Sequence, residues 1–294
     1  MTEQEFSINI IGMGYVGGAI SYLCERNNIE FNVYDIQVKE GNFNYFNNIS
    51  ELVNFSESKT IDKNYYVVCV PTPSDQEGNC DVSIVDKILS ELNEKCTKNS
   101  VIIIKSTLVP GSCIKFSEKY KNIDIILSPE FLKELSFKED MYNAKFILLG
   151  TNKFSMIKYQ NLLYLFRKLY NHNPLIDILS KTYEECELFK YTLNTFLATK
   201  ITFFNEIHEL CEKMDVDYQK LKELFKLDPR IGNYGIEVPG PDGKFSFSGK
   251  CLPKELSSMI KLQEKLKLSS EFMNCVKKRG DDFRIKQVKN TFQF

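Results

Sequence analysis

The cysteine with the most unusual neighbours is Cys251, one of nine in this 294-residue chain. It follows a flexible stretch that ends in Lys250 and precedes Leu252-Pro253-Lys254. Nearby lysines favour the thiolate, which is the nucleophilic form of the side chain. Cys251 is therefore a candidate nucleophile, and an ordinary thiol is the alternative interpretation. Most of the other cysteines stand in apolar runs, which predicts small buried side chains.

Two pairs of polar residues are further candidates for a functional site. Lys190 and Asn194 stand four apart within LFKYTLNTFLA, so they share one face of a predicted helix. A lysine in such a stretch either reaches out to solvent or points into a pocket, and the sequence leaves both open. Glu130 and Glu134 follow Ser128-Pro129, and their simplest interpretation is a helix start with acids in its first turn.

A glycine-rich turn follows the first apolar run. Gly12-Met13-Gly14-Tyr15-Val16-Gly17 fits the pattern G-x-G-x-x-G between a predicted strand and a predicted helix, and Asp35 ends the next strand. In this pattern the first glycine permits a tight turn, the second admits a pyrophosphate, and the third lets helix and strand pack closely. A carboxylate at Asp35 accepts ribose hydroxyls and repels a 2′-phosphate, which predicts NAD over NADP. A glycine-rich turn without a ligand is the alternative.

Two further strand ends carry polar residues. Val70-Pro71-Thr72-Pro73 ends the run YYVVCV, and Lys105-Ser106-Thr107 ends the run VIIIK. Ligands of doubly wound sheets bind beyond the carboxyl ends of the strands, so both segments are candidates for the same site. Read alone, each is equally well explained as a turn that ends a strand.

Short β-branched runs separated by helical segments predict an α/β fold with a parallel sheet and helices on both faces. The runs are residues 7–12, 31–36, 65–70, 101–105, 123–128 and 145–150. From Thr182 to Met214 the chain has neither Pro nor Gly, which predicts one long helix that joins two domains or forms a dimer seam. Helices at 217–226 and from Leu252 follow. The predicted domains are 1–178, a Rossmann-like NAD-binding domain, and 179–294, a central helical dimerisation and catalytic domain.

The bulk composition excludes several classes of protein. A net charge of −1 gives no electrostatic basis for binding nucleic acid or an anionic membrane. Two histidines and scattered cysteines make a metal site unexpected. The first residues lack the pattern of a signal peptide, and no apolar run reaches the ~20 residues of a membrane span. A reducing, cytoplasmic setting is the expectation.

Taken together, these segments resemble the UDP-glucose 6-dehydrogenase family. The matching segments occur in family order: GMGYVG, VPTP, KSTLVPG at 105–111, SPEFLKE at 128–134, KYTLNTFLATKITFFNE at 190–206, DPRIGN at 228–233 and GKCLPKE at 249–255. The resemblance implies oxidation of UDP-glucose to UDP-glucuronate with NAD as cofactor. It implies two hydride transfers, between which Cys251 captures the aldehyde as a thiohemiacetal that becomes a thioester. It also implies a homodimer built on the long helix.

The resemblance assigns the site residues in three groups. The catalytic residues are Cys251, Lys190, Asn194, Thr107, Glu134 and Glu255. Cofactor contacts fall to Gly12, Gly14, Tyr15, Val16, Gly17, Asp35, Pro71, Thr72, Thr107, Glu134 and Lys254. Substrate contacts fall to Glu130, Phe131, Leu132, Lys133, Lys190, Asn194, Arg230, Tyr234 and Ser248. Arg230 is expected to reach the substrate of a neighbouring subunit.

The chain departs from the family pattern in several places. Ser246-Phe247-Ser248-Gly249 stands where the family has Gly-aromatic-Gly-Gly, so that serines replace its first and third glycines. Glu255 replaces Asp, and Leu135 replaces Gly. The loop between Arg230 and Cys251 is longer. The residues after Cys251 are too few for the family's third, UDP-binding domain, so its absence is expected. The alternatives are therefore a weak or inactive binder of NAD and nucleotide sugar, or a dehydrogenase for a related nucleotide sugar.

Overall fold

The computed structural model describes residues 5–75, 77–151 and 156–291. The chain forms two compact units, a first made of the chain up to Pro73 with Asp81–Lys190, and a second made of Ser74–Cys80 with the chain from Tyr191 onward. The division falls inside a helix. The predicted domain boundary between residues 178 and 179 stays a prediction.

In the first unit, strands and helices alternate along the chain. The elements are β1 (Phe6–Ile11), α1 (Tyr15–Arg26), β2 (Phe31–Tyr34), β3 (Asn44–Phe46), α2 (Ile49–Glu57), β4 (Lys63–Val68), α3 (Ser83–Lys95), β5 (Ser100–Ile104), α4 (Ser112–Lys119), β6 (Asp124–Leu127), α5 (Phe137–Tyr142), β7 (Phe146–Gly150), α6 (Met156–Leu169) and β8 (Asp177–Lys181). The strands form one sheet in the order β3-β2-β1-β4-β5-β6-β7-β8. Neighbours pair in parallel, except β6 with β7. The predicted Rossmann-type sheet is confirmed.

The central strands are buried on both faces. Along β4, Tyr65 and Val67 join one apolar cluster, whereas Tyr66 and Val68 join another. Helices α1 and α6 cover the first cluster, and α2, α3 and α4 cover the second. Burying each large apolar side chain contributes roughly 2 kcal/mol. Burial on both faces explains why these strands read as continuous apolar runs.

Strands β3 and β8 at the two edges of the sheet were not predicted. β3 has only three residues, and most residues of β8 are exposed. An edge strand with a solvated face carries neither a continuous apolar run nor a strong alternation, so its position depends on its neighbour. β8, for example, pairs in parallel with β7 from Phe146↔Asp177 onward.

Four helices account for most of the remaining chain. They are α7 (Tyr183–Met214), which starts in the first unit, α8 (Tyr218–Leu227), α9 (Leu252–Lys265) and α10 (Glu271–Thr291). The predicted long helix is confirmed within one residue, and the helix predicted at 217–226 is α8. Asp217 caps α8, since its Oδ1 accepts the Gln219 N–H at 2.9 Å.

Candidate active site

The glycine turn before α1 has no room for side chains at two of its positions. Gly12 has φ +93°, and a Cβ there would lie 2.9 Å from the carbonyl carbon of Cys69. A Cβ on Gly17 would lie 2.0 Å from the Gly12 carbonyl oxygen. At Gly14 a Cβ would meet nothing within 4 Å, so this backbone faces open space. The backbone is therefore tightly packed at Gly12 and Gly17 and accessible at Gly14, which is the arrangement that binding of a pyrophosphate requires.

Asp35 holds this turn from the adjacent strand. Its Oδ2 accepts the Met13 N–H at 2.6 Å, and its Oδ1 accepts the Gln37 N–H at 2.8 Å. Each carboxylate oxygen retains a lone pair for a ribose hydroxyl. The first turn of α1 contains no acidic residue, which leaves the positive helix end to an anion. The residues present therefore fit a dinucleotide.

The ends of β4 and β5 are tied together. Ser106 Oγ donates to the Val70 carbonyl at 2.7 Å, so the loop that carries Thr107 starts beside the one that carries Pro71 and Thr72. Thr72 is buried and Thr107 is half-buried. The structure thus brings the two strand-end segments to one edge of the sheet.

Lys105 begins the predicted strand-end segment and directly follows β5. Its side chain is 4% exposed and forms an ion pair with Glu130. The ammonium also donates to Ser128 Oγ at 2.9 Å. The sequence placed Lys105 at this strand end, and the structure adds its burial and its partner Glu130, because a buried ammonium requires a partner nearby.

Lys190 points into the protein. Only 8% of the residue is exposed, and its Nζ donates a hydrogen bond to the Glu130 carbonyl at 2.6 Å. Nζ also lies 5.5 Å from the ring centroid of Phe131, which packs against Phe189. Of the two interpretations left open by the sequence, the solvent-reaching side chain is wrong, because the ammonium is buried and bound to a backbone carbonyl, whereas a role in a ligand pocket stays a prediction. Glu130 is consequently held twice, through its carboxylate and through its carbonyl.

The segment 131–135 is a loop. Neither Glu130 nor Glu134 lies in a helix, because α5 begins only at Phe137, so the helix-start interpretation is wrong. The carboxylate of Glu134 accepts a hydrogen bond from the Tyr15 hydroxyl at the start of α1, which raises the pKa of that phenol. Glu134 therefore lies at the glycine turn, where the resemblance places a cofactor contact.

The residues between and after Glu130 and Glu134 differ in how deeply they are buried. Leu132 packs against the apolar cluster that α1 and α6 cover. Lys133 Nζ lies 3.3 Å from Asp140 Oδ1 and is half-exposed. Leu135, where the family has glycine, is 87% exposed, so the larger side chain meets no steric obstacle.

In the second unit, Cys251 occupies the N-cap position of α9 and is exposed. The N-terminal end of a helix favours an anion, and therefore a thiolate. By contrast, burial raises the pKa of Cys96 and Cys186 to about 12, so those thiols stay protonated. None of the nine cysteines, all of which lie in the described part of the chain, forms a disulfide. The cytoplasmic setting stays a prediction.

Glu255, one turn into α9, is a fully buried carboxylate. Its Oε2 accepts a hydrogen bond from Asn194 Nδ2 at 2.6 Å, and its backbone N–H donates to the Cys251 carbonyl at 2.9 Å. Within the described residues, Oε1 accepts no hydrogen bond and lies 4.0 Å from Lys254 Nζ. A buried carboxylate with one oxygen unused is equipped to accept a proton from a bound molecule.

The remaining predicted substrate residues lie in the loops of the second unit. Arg230 is exposed and paired with Asp228, with Nη2 to Oδ2 at 2.6 Å. Tyr234 is exposed, and Ser248 Oγ donates to Asp242 Oδ2 at 2.7 Å. The role of Arg230 towards a neighbouring subunit stays a prediction.

The predicted site residues divide between the two units. Gly12–Gly17, Asp35, Thr107, Glu130–Glu134 and Lys190 belong to the first unit, and Asn194 and Arg230–Glu255 to the second. The described residues contain no cluster of His, Cys, Asp or Glu suited to a metal ion. Across the same residues, no helix is long and apolar enough to cross a membrane.

Two family models match this chain. Residues 47–172 match the NAD binding domain of the UDP-glucose/GDP-mannose dehydrogenase family, and residues 184–281 match its central domain. The chain belongs to this family. The prediction of NAD as the cofactor is confirmed by the first match. That match begins at residue 47, so the assignment of the glycine turn and Asp35 to the cofactor stays a prediction that their geometry fits.

Individual family members are similar over much of the chain. UDP-glucose 6-dehydrogenase of Rickettsia prowazekii is 33% identical over 217 residues, which cover 71% of this chain and 47% of that protein. The chain thus spans about half the length of the curated relatives it matches. A UDP-glucose dehydrogenase from Pyrobaculum islandicum superposes with TM-score 0.75 and 22% identity, over 96% of this chain and 69% of that one. A UDP-D-ManNAc dehydrogenase from Pyrococcus horikoshii gives 0.74 and 18%, over 94% and 68%.

Proposed function

We propose that this chain oxidises the C6 hydroxyl of UDP-glucose to a carboxylate with NAD, so that UDP-glucuronate is the product. The observation that carries the proposal is the start of α9. There an exposed thiol, Cys251, stands one helical turn before Glu255, a buried carboxylate held by Asn194. A nucleophile and a proton acceptor are the two groups that an oxidation from alcohol to acid requires beyond the hydride acceptor.

Two molecules of NAD, bound one after the other, would supply the hydride acceptors for the two oxidations. Cys251 Sγ adds to the aldehyde carbon that the first oxidation leaves, and the resulting thiohemiacetal carries a hydroxyl on a carbon that still bears one hydrogen. Loss of that hydrogen as hydride, with loss of the hydroxyl proton, gives a thioester. Water then adds to the thioester carbon, and the thiolate departs with release of the carboxylate. The thiolate suits this sequence because it is both a good nucleophile and a good leaving group.

The polar partners have roles that follow from their chemistry. Lys190 and Asn194 are the donors assigned to the developing oxyanion, because each presents N–H groups from α7. Lys190 Nζ donates one hydrogen to the Glu130 carbonyl and has two more. The unused Oε1 of Glu255 is assigned as the acceptor for the hydroxyl proton.

The test is formation of NADH with a panel of nucleotide sugars. UDP-glucose is compared with UDP-N-acetylmannosamine and GDP-mannose, because family members are named for all three. We expect the highest kcat/KM with UDP-glucose and two NADH per sugar oxidised. One NADH per sugar would contradict the thioester route. Binding of NAD without NADH formation from any sugar would favour the alternative of a binding protein.

A homodimer through α7 is part of the same proposal. Phe196, Phe203 and Leu210 recur every seven residues on α7, and each is more than half exposed. Such a stripe is suited to pack against a second copy of itself. Two apolar residues of the same helix do not belong to this surface: Phe204 is 4% exposed in the core of the second unit, and Ile201 is half-buried.

A further inference from the structure

Glu187 is a buried carboxylate on α7 that has no part in the chemistry described so far. The residue is 1% exposed, three residues before Lys190. Its two oxygens accept two backbone hydrogen bonds, from the Gly111 N–H at 2.6 Å and from the Cys113 N–H at 2.8 Å. These are backbone donors at the N-terminal end of α4, which the carboxylate therefore caps.

The two hydrogen bonds hold the far end of the Thr107 loop, residues 106–111. The near end is held by Ser106, whose Oγ donates to the Val70 carbonyl at 2.7 Å. Thr107 thus lies between two fixed points. One turn further along α7, Lys190 Nζ donates to the Glu130 carbonyl at 2.6 Å. A single turn of α7 therefore holds the segments that follow both β5 and β6.

Only the ionised form of Glu187 makes both hydrogen bonds without a competing proton. Burial raises the pKa of this carboxyl to about 7. The titratable groups that face it are Cys113 from α4 and Tyr183, Glu184 and Cys186 from α7. Each of these is neutral or negative, so ionisation of Glu187 costs free energy. Because the ionised carboxylate lowers the stability of the fold, its presence here is better explained by a role in positioning the Thr107 loop than by a role in stabilising the protein.

We propose that Glu187 is a positioning residue: its ionised carboxylate holds the Thr107 loop on α7, beside the turn that carries Lys190. The consequence for catalysis rests on the proposed function. The anchoring itself does not, because it concerns only the placement of backbone N–H groups.

The test compares Glu187→Gln with Glu118→Gln, in which an exposed acid on α4 is changed in the same way. The glutamine offers one acceptor and presents a donor to the second N–H, as the protonated acid does. We expect faster amide exchange at Gly111 and Cys113 in Glu187→Gln, measured by NMR, and no change in the control. With UDP-glucose we expect kcat to fall about a hundredfold, while the KM for NAD stays within about threefold.

Two further readouts separate placement from general damage. Glu187→Asp keeps the charge on a shorter side chain, and we expect it to recover part of the lost kcat, about tenfold. In the wild type, kcat should fall as pH drops through about 7. The part of this dependence that belongs to Glu187 should be absent in Glu187→Gln, whose side chain does not titrate, whereas any fall caused by protonation of the Cys251 thiolate should remain.

Equal exchange at Gly111 and Cys113 in the wild type and Glu187→Gln would overturn the anchoring. A kcat within twofold of the wild type would overturn its catalytic consequence. If the wild type forms no NADH from any nucleotide sugar, the proposed function fails, and amide exchange still decides whether Glu187 anchors the loop. Should Glu187→Gln not fold, the wild type alone gives the answer through the pH dependence of amide protection at the same two positions.

Discussion

The carboxylate of Asp35 fixes the shape of the glycine turn. It accepts the N–H groups of Met13 and Gln37, which sets the backbone between β1 and α1. We predict that the same negative charge repels the 2′-phosphate that NADP carries on its adenosine ribose. Removal of the whole side chain would loosen the turn as well as change the charge, so the informative substitution keeps an acceptor in place.

We expect Asp35→Asn to narrow the preference for NAD over NADP by about tenfold, or roughly 1.4 kcal/mol, because repulsion of the 2′-phosphate is lost while one acceptor oxygen remains. Titration of both cofactors, followed by fluorescence or calorimetry, gives the ratio. Glu30→Gln, an exposed acid at the other end of β2, serves as the control. Tighter binding of NADP than of NAD by the wild type would contradict the prediction that Asp35 selects NAD.

Cys251 is distinguished from the other thiols by exposure at a helix N-terminus. Cys275 is also exposed, whereas the other seven are buried or half-buried. Iodoacetamide should therefore modify Cys251 first, and UDP-glucose should block that modification. Modification of Cys275 provides the internal reference within the same molecule, since UDP-glucose should leave its rate unchanged.

Substitutions at Cys251 test the covalent route. We expect Cys251→Ser to give a slow burst with a covalent adduct, because an ester forms where a thioester did and hydrolyses more slowly. Cys251→Ala should show no steady turnover to UDP-glucuronate. Cys275→Ser is the matched control and should retain wild-type turnover. Near-normal production of UDP-glucuronate by Cys251→Ala would mean that the nucleophile is misassigned.

At the scale of elements, the joint between α10 and the loop before Cys251 is tightly packed. Gly280 lies in α10, and a Cβ there would meet Phe247 Cε1 at 2.5 Å and Ser246 Oγ at 2.9 Å. Ser246 itself has φ +69°, and its buried hydroxyl oxygen has no hydrogen-bond partner in the described part of the chain. A glycine at position 246, as in the family pattern, would avoid both features.

We predict that Ser246→Gly raises the free energy of unfolding by about 1 to 2 kcal/mol, since left-handed backbone is costly for a residue with a Cβ and the unpaired hydroxyl is removed. Denaturant unfolding measures the change. Ser248→Gly is the control, because Ser248 donates to Asp242 and its removal loses a hydrogen bond. A lower stability for Ser246→Gly would show that the hydroxyl is satisfied in solution.

The cap of α4 by Glu187 gives the stability a defined pH dependence. Its pKa is raised from 4.5 to about 7 by burial, so the folded protein holds this proton more tightly than the unfolded chain does. The stabilisation that comes from tighter binding of this proton is complete below the pKa of Glu187 in the unfolded chain. It is lost as pH rises through the pKa of Glu187 in the folded protein. From pH 5 to pH 8, we expect the unfolding free energy of the wild type to fall by roughly 2 to 3 kcal/mol relative to Glu187→Gln. Parallel curves for the two proteins would contradict the raised pKa.

At the scale of the whole molecule, the exposed stripe on α7 predicts self-association. Phe203 stands at its centre, with Phe196 and Leu210 one heptad away on either side. We expect Phe203→Glu to convert a dimer to a monomer at micromolar concentration, because an unpaired charge would be buried in the interface. Light scattering measures the mass. Glu212→Lys, a charge change at an exposed position two residues from Leu210 and therefore on another face of α7, should stay dimeric, and a monomeric wild type would refute the proposal.

The sequence by itself determined the features that depend on local pattern. A strand buried on both faces is a continuous apolar run, which can be recognised without knowing which strands pair with it. A stretch without Pro or Gly predicts α7 almost to the residue. The spacing of Gly12, Gly14 and Gly17 with Asp35 indicated the cofactor turn, because each of those positions has a steric requirement that few residues meet. Cys251 was singled out by its neighbours, and the structure adds its exposure.

Only the tertiary structure decided which polar groups are buried together. The environments of Lys190, of the Asn194–Glu255 pair and of Glu187 depend on partners about 60 to 76 residues away in the chain, and no local pattern encodes such a distance. The edge strands were missed for the same reason, since β8 is positioned by pairing with β7 and not by its own composition. A charged side chain has the same letter whether it is solvated or buried, and only the folded environment sets the free energy that decides between the two.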